Sequence, residues 1–168
     1  MDLLIVRHAI AGDRDEWAQT GRPDGERPLT PEGRKRMREN ARGIRALVPR
    51  LDLLATSPFT RAAQTAEILV EEYGDLTVLD LPALAHGGTP DEIRDWLAHR
   101  TEGRIALVGH EPDLGALIGW FVAGPSGAVV PLKKGGAALL EFPDAPAPGQ
   151  AELRWLAPPK LLRMIEAG

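Results

Sequence analysis

The alternation of short apolar runs with capped, amphipathic stretches constrains the fold of this chain more than any other feature. The runs near Leu3 to Arg7, Leu53 to Thr56, Thr77 to Asp80 and Arg104 to Val108 are too short for helices and have the make-up of buried strands. Between and after them, the stretches near Pro31 to Leu47, Pro58 to Tyr73, Pro90 to His99 and Pro112 to Val122 read as helices. Three of these open on a hydroxyl followed by proline: Thr30-Pro31, Ser57-Pro58 and Thr89-Pro90. The hydroxyl suits the N-cap and the proline the first helical position, and Thr89-x-x-Glu92 adds a capping box. Ala137 to Phe142 and Ala151 to Leu156 then read as a β-hairpin around the Pro/Gly-rich loop Pro143 to Gln150, followed by a short helix from Pro158. The expected fold is a three-layer α/β/α sandwich with a mostly parallel central sheet and a late antiparallel hairpin. At 168 residues and 43% hydrophobic, with no linker or shift in composition, residues 1–168 are expected to form a single domain.

Parallel strands gather ligands beyond their carboxyl ends, and three such ends here carry chemistry. Arg7-His8 closes the first run, Arg61 lies about one turn into the helix expected from Pro58, and His110 follows the glycine turn after Val108. Gly109 lets the chain turn tightly there. Two guanidiniums, two imidazoles and the positive ends of two helices in one crevice favour a tetrahedral, multiply charged anion such as phosphoryl. A neutral His8 can attack phosphorus in line while Arg7 and Arg61 brace the equatorial oxygens, and water then hydrolyses the phosphohistidine. The arginines supply the charge that a metal gives elsewhere, so no metal and no cofactor is expected.

Arg7-His8-Ala9, the stretch Ser57-Pro58-x-x-Arg61-Ala62-x-Gln64-Thr65-Ala66 and Gly109-His110-Glu111-Pro112 resemble the signature segments of the histidine phosphatase superfamily, the phosphoglycerate-mutase-like group. Within it, Arg27-Pro28-Leu29-Thr30-Pro31-Glu32-Gly33 and Lys133-Lys134-Gly135-Gly136 look most like SixA-type phosphohistidine phosphatases. The resemblance implies His8 as nucleophile, Arg7 and Arg61 as phosphate ligands, and His110 as a further phosphate contact that stabilises the transition state. Ala9 stands where glycine is usual, as in the SixA-like branch.

Larger members of that superfamily carry a glutamate acid after the third strand, whereas Leu81 to Gly88 here contains no carboxylate. That pattern implies a phosphoramidate substrate, whose P–N bond needs no strong acid once nitrogen is protonated. His86 in its Gly-flanked loop is the first candidate donor, and Asp13 and Glu16 are weaker ones of the same kind. His99 is read only as a favourable charge at a helix end. Ser57 lacks a nucleophile elbow and is assigned to capping. Ile10 to Pro28 reads as a long, charged, aperiodic loop in which Trp17 is the anchor, and Arg14, Arg22 and Arg27 are either substrate contacts or solvated charges.

The formal charge of −4 argues against nucleic-acid binding and makes any phosphate site a positive island. Zero cysteines excludes thiol catalysis and disulfide scaffolds. Neither the N-terminal run nor Leu114 to Ala123 is long enough for a signal peptide or a membrane span, so a cytoplasmic monomer is the default. Three functions fit. The first is a phosphatase acting on phosphohistidine in a protein such as a histidine phosphotransfer domain; the second is a phosphomonoesterase for a small phosphate ester. The third, from a different class, is a non-catalytic phospho-recognition module.

Overall fold

The computed structural model describes residues 1–166, so the last two positions of the expected 1–168 domain lie outside it. Six strands, β1 (Asp2–Arg7), β2 (Leu53–Thr56), β3 (Val78–Asp80), β4 (Arg104–Gly109), β5 (Ala137–Glu141) and β6 (Glu152–Ala157), form one sheet in the order β3-β2-β4-β1-β5-β6. The first four run parallel; β5 is antiparallel to both β1 and β6. The expected sandwich, with its parallel centre and late antiparallel pair, is the observed fold.

Side chains alternate between the two faces, as the pleat requires. Leu4 and Val6 of β1, with Ala106 and Val108 of β4, enter one core, while Leu3, Ile5, Ile105 and Leu107 enter the other. The first core is closed by helices α2 (Pro31–Leu47), α3 (Thr60–Tyr73) and α6 (Pro159–Glu166), through Met37, Ile44, Leu69 and Leu162. The second is closed by α4 (Pro90–Ala98) and α5 (Asp113–Ala123), through Ile93, Leu97, Ile118 and Phe121. Helix α6 lies so close to α2 that a Cβ at Gly43 would stand 2.0 Å from the Leu162 carbonyl oxygen. Only glycine allows that approach.

Thr30 and Thr89 cap α2 and α4 as expected, the second through a complete capping box. The Ser-Pro pair does not act this way. Helix α3 begins at Thr60 with Phe59 at the N-cap and no side-chain cap, so Arg61 is the second helical residue and not a turn in. The Ser57 hydroxyl accepts only a 3.3 Å bond from the Phe59 amide and meets His110 instead. Likewise α5 starts at Asp113, with Pro112 at its N-cap. The segment Ile10 to Pro28 also departs from an aperiodic loop. It holds a one-turn helix, α1 (Arg14–Ala18), capped by Asp13, and it is closed by a bridge between Ala11 and Leu29. The Trp17 indole donates to the Pro23 carbonyl at 3.0 Å, which is the anchoring role expected of it. Among the described residues no helix is long and apolar enough to cross a membrane.

Candidate active site

The carboxyl ends of β1, β2 and β4 open into one cavity of about 430 Å³ lined by Arg7, His8, Arg61, His86 and His110 together with Arg14, Arg27, Glu111 and Lys134. Arg7 is the last residue of β1, and the backbone around it is held from both sides. Its amide donates to the Gly136 carbonyl, the His8 amide donates to Gly109, and the Gly135 amide donates to both the Arg7 and the His8 carbonyls. Gly135 can do this because it sits at φ +75°, where a side chain would be strained.

The His8 ring is fixed by a 2.7 Å contact from Nδ1 to the carbonyl of Ala9. A carbonyl can only accept, so Nδ1 carries the proton and the lone pair lies on Nε2. Burial lowers the His8 pKa to about 3 and outweighs the opposing Ala9 bond, with Arg61, Arg7 and Lys134 adding to the depression. The imidazole is therefore neutral at ordinary pH. Ala9 is tied down in turn: its amide donates to Thr65 Oγ1 at 3.1 Å, and that hydroxyl donates to the Arg61 carbonyl at 2.7 Å. One threonine thus joins the segment after His8 to helix α3.

His110 stands beside His8 with ring centroids 5.1 Å apart, and its Nε2 lies 2.8 Å from Ser57 Oγ. Burial, then the neighbouring His8 and Arg61, push its pKa down to about 2. Its Nδ1 and the Nε atoms of Arg7 and Arg61 are buried and have no protein hydrogen-bond partner among the described residues. The two guanidinium nitrogens are donors, and His110 Nδ1 is one when the Ser57 hydroxyl gives its proton to Nε2; buried donors of this kind are costly unless a bound anion accepts from them. Arg7 is aimed by a 2.8 Å bond from Nη1 to the Leu132 carbonyl. The Arg61 side chain, 1% exposed, is held from behind by Asp24, which accepts Nη1 on its carbonyl at 2.9 Å and Nη2 on its carboxylate at 3.1 Å. The same carboxylate takes Arg27 Nε at 2.8 Å.

His86 reaches the cavity wall, packs edge-on to Phe59 and lies 4.9 Å from the His110 ring. Asp13 is on the rim but spends one carboxylate oxygen capping α1 through the Asp15 and Glu16 amides, while Glu16 is exposed and does not line the cavity. Arg14 and Arg27 line it; Arg22 does not, being paired with Glu26 and stacked over Trp17. Sequence reading passed over Asp24, Thr65, Glu111 and Lys134 as site residues. Lys134 is the clearest of these: burial and then four surrounding guanidiniums, Arg7 first, lower its pKa. Four arginines and a lysine face only Asp13 and Glu111 around the cavity, so a chain of net charge −4 keeps a positive island here. A neutral, tautomer-fixed imidazole among guanidiniums is equipped to attack and hold a phosphoryl group.

The sequence model of the histidine phosphatase superfamily (branch 1) matches residues 3–86. An uncharacterized protein of Picosynechococcus sp. is 36% identical over 140 residues, covering 81% of this chain and 82% of that one. Among solved structures, the protein histidine phosphatase SixA complexed with tungstate superposes with a TM-score of 0.81 at 22% identity, over 95% of this chain and 98% of that one. The α-ribazole phosphatase of Shigella flexneri superposes with a TM-score of 0.69 at 16% identity, over 95% and 97%. At these identities the two structures establish the fold.

Proposed function

Because the chain belongs to the histidine phosphatase superfamily, branch 1, we propose that its phosphatase chemistry runs through His8 and is directed at phosphohistidine in a protein. The observation that carries this reading is the His8 ring itself: the Ala9 carbonyl holds the proton on Nδ1, which leaves the Nε2 lone pair for phosphorus.

In the first step Nε2 attacks, the P–N bond of the substrate breaks, and the departing imidazole leaves neutral because its other nitrogen keeps a proton. Arg7, Arg61 and the Nδ1 edge of His110 take up the charge on the equatorial oxygens. The His8 intermediate keeps its own Nδ1–H on Ala9. When water attacks phosphorus, Nε2 therefore also leaves as a neutral imidazole, and the water proton ends on phosphate. Transfer between two imidazoles is nearly balanced, and no strong acid is needed. The SixA structure complexed with tungstate supports the reading, since tungstate is a tetrahedral oxyanion.

The test is phosphate release from a phosphohistidine-bearing protein and from an aryl phosphate in parallel, with wild type and His8→Ala. Release from the phosphohistidine that vanishes in His8→Ala is expected; release that persists in the variant overturns the proposal.

A further inference from the structure

The loop after β3 carries no carboxylate, yet it delivers a side chain to the cavity wall. His86 is held there from three directions. Its Nδ1 lies 3.0 Å from Oδ2 of Asp113, its ring meets Phe59 at 71°, and it lies 4.9 Å from His110. The turn that places it contains Gly87 at φ +93° and Gly88, where a Cβ would collide with the Ala83 carbonyl at 1.9 Å. Asp113, the first residue of α5, caps nothing, because the N-cap is Pro112 and shows no side-chain bond. Its carboxylate accepts the Nδ1 proton and leaves Nε2 as the working nitrogen of His86. The His110 ring neighbours both His8 and His86, at 5.1 Å and 4.9 Å between centroids.

We propose that His86, oriented by Asp113, is a proton donor that extends this site to phosphate monoesters of alcohols. This rests on the reading of His8 as nucleophile. An alkoxide is a far poorer leaving group than an imidazole, and a donor at the leaving oxygen removes that barrier. The bookkeeping closes. As His8 Nε2 bonds phosphorus and the P–O ester bond breaks, the Nε2 proton of the His86 imidazolium moves to the leaving oxygen and the alcohol departs neutral. The neutral His86 then takes a proton from the water attacking the phosphohistidine, the P–N bond to His8 breaks, and the imidazolium is restored. Ester and water become alcohol and phosphate. His86 would be a catalytic residue, and Asp113 a positioning residue that acts through it.

The groups facing His86 are Asp113 from α5, His110 at the end of β4 and, around the same cavity, Arg61 of α3, Arg7, Glu111 and Lys134. Of these only the first changes in Asp113→Asn. The experiment measures kcat/KM for a series from 4-nitrophenyl phosphate to simple alkyl phosphates in wild type, His86→Gln, Asp113→Asn and Asp113→Glu, with thermal unfolding and inorganic phosphate binding as checks that each variant is folded. In His86→Gln the loss is expected to grow along the series to about 10²- to 10⁴-fold on the poorest leaving groups, the size of a general-acid contribution. In Asp113→Asn a loss with the same dependence on the leaving group is expected in kcat with KM little changed, and Asp113→Glu is expected to recover part of the wild-type rate. A loss uniform along the series, an Asp113→Asn effect confined to KM, or a wild type that hydrolyses phosphohistidine but no ester overturns the proposal and leaves His8 as nucleophile intact. Turnover that survives in His8→Ala overturns the underlying reading instead.

Discussion

Replacing Thr65 by valine keeps shape and β-branching but deletes the hydroxyl that joins the Ala9 amide, next to His8, to helix α3. Thr65 is fully buried and Ala9 is 3% exposed, so the Ala9 amide, now 3.1 Å from Thr65 Oγ1, would be left inside the protein without an acceptor. An unsatisfied buried donor costs about 1–3 kcal/mol. The second bond, to the Arg61 carbonyl, adds little, since that oxygen also serves the helix ladder. A total of about 2 kcal/mol corresponds to a fall in Tm of roughly 4–8 °C for a chain of this size. The same Ala9 carries the carbonyl that fixes His8. Loosening it should lower kcat more than the stability loss explains, because a misplacement of about 1 Å in a reacting group costs about 10²-fold. Urea unfolding and single-turnover phosphate release from a phosphohistidine-bearing protein, on Thr65→Val and Thr65→Ser, measure both effects, with Thr65→Ser expected near wild type. The reasoning is refuted if Thr65→Val unfolds within about 0.5 kcal/mol of wild type, the range of a neutral substitution, and turns over normally.

Acid should unfold the protein early, because His8 and His110 are buried neutral with pKa values of about 3 and about 2 against an ordinary 6.5. Both folded values lie below the unfolded ones, so the unfolded chain takes up more protons; this stability is complete above about pH 6.5 and declines below it, by up to about 1.4 kcal/mol per pH unit for each ring. Urea midpoints from pH 7 to 5 on wild type and His8→Gln/His110→Gln check this, and equal slopes would count against it. Asp24→Asn leaves the Arg61 guanidinium, 1% exposed, without its carboxylate. Because Asp24 is itself partly solvated, the loss should be about 1–2 kcal/mol. Millimolar phosphate should restore more Tm in Asp24→Asn than it adds to wild type, and equal shifts would contradict the role given to Asp24.

Much of this molecule can be read from its sequence where a local rule and the tertiary structure agree. Thr30-Pro31 opens α2 because the Thr30 hydroxyl accepts from the Gly33 amide at 2.9 Å while its own proton points to the Ile10 carbonyl, so its tertiary contact does not compete with the cap. Ser57-Pro58 carries the same local signal, but His110 lies on the Ser57 hydroxyl and the helix starts later, at Thr60. Helix α1 escaped notice because it buries no residue and so leaves no apolar stripe; Asp13 before Asp15 and Glu16 was the available sign. Arg7, His8, Arg61 and His110 were visible as polar residues at strand ends or a helix start. Asp24 was not, since its partner lies 37 positions away along the chain; Thr65 falls within the signature stretch, but its bond to the Ala9 amide spans 56 positions and leaves no local sign.

The place of β1 at the middle of the sheet sets the order in which the protein can be built. Its two neighbours are β4, at residues 104–109, and β5, at residues 137–141. The first strand along the chain is therefore paired only after β4, the fourth, has been made. At a synthesis rate of about 5–20 residues per second, Leu3-Leu4-Ile5-Val6 waits roughly 5–25 s for its first partners. During that interval it is an unpaired apolar edge, and His8 next to it lacks the carboxyl-end cavity, which needs β4 and His110. The cavity at the carboxyl ends is complete only after β4 and the Lys134 segment have joined β1, which makes β1 dependent on residues made long after it.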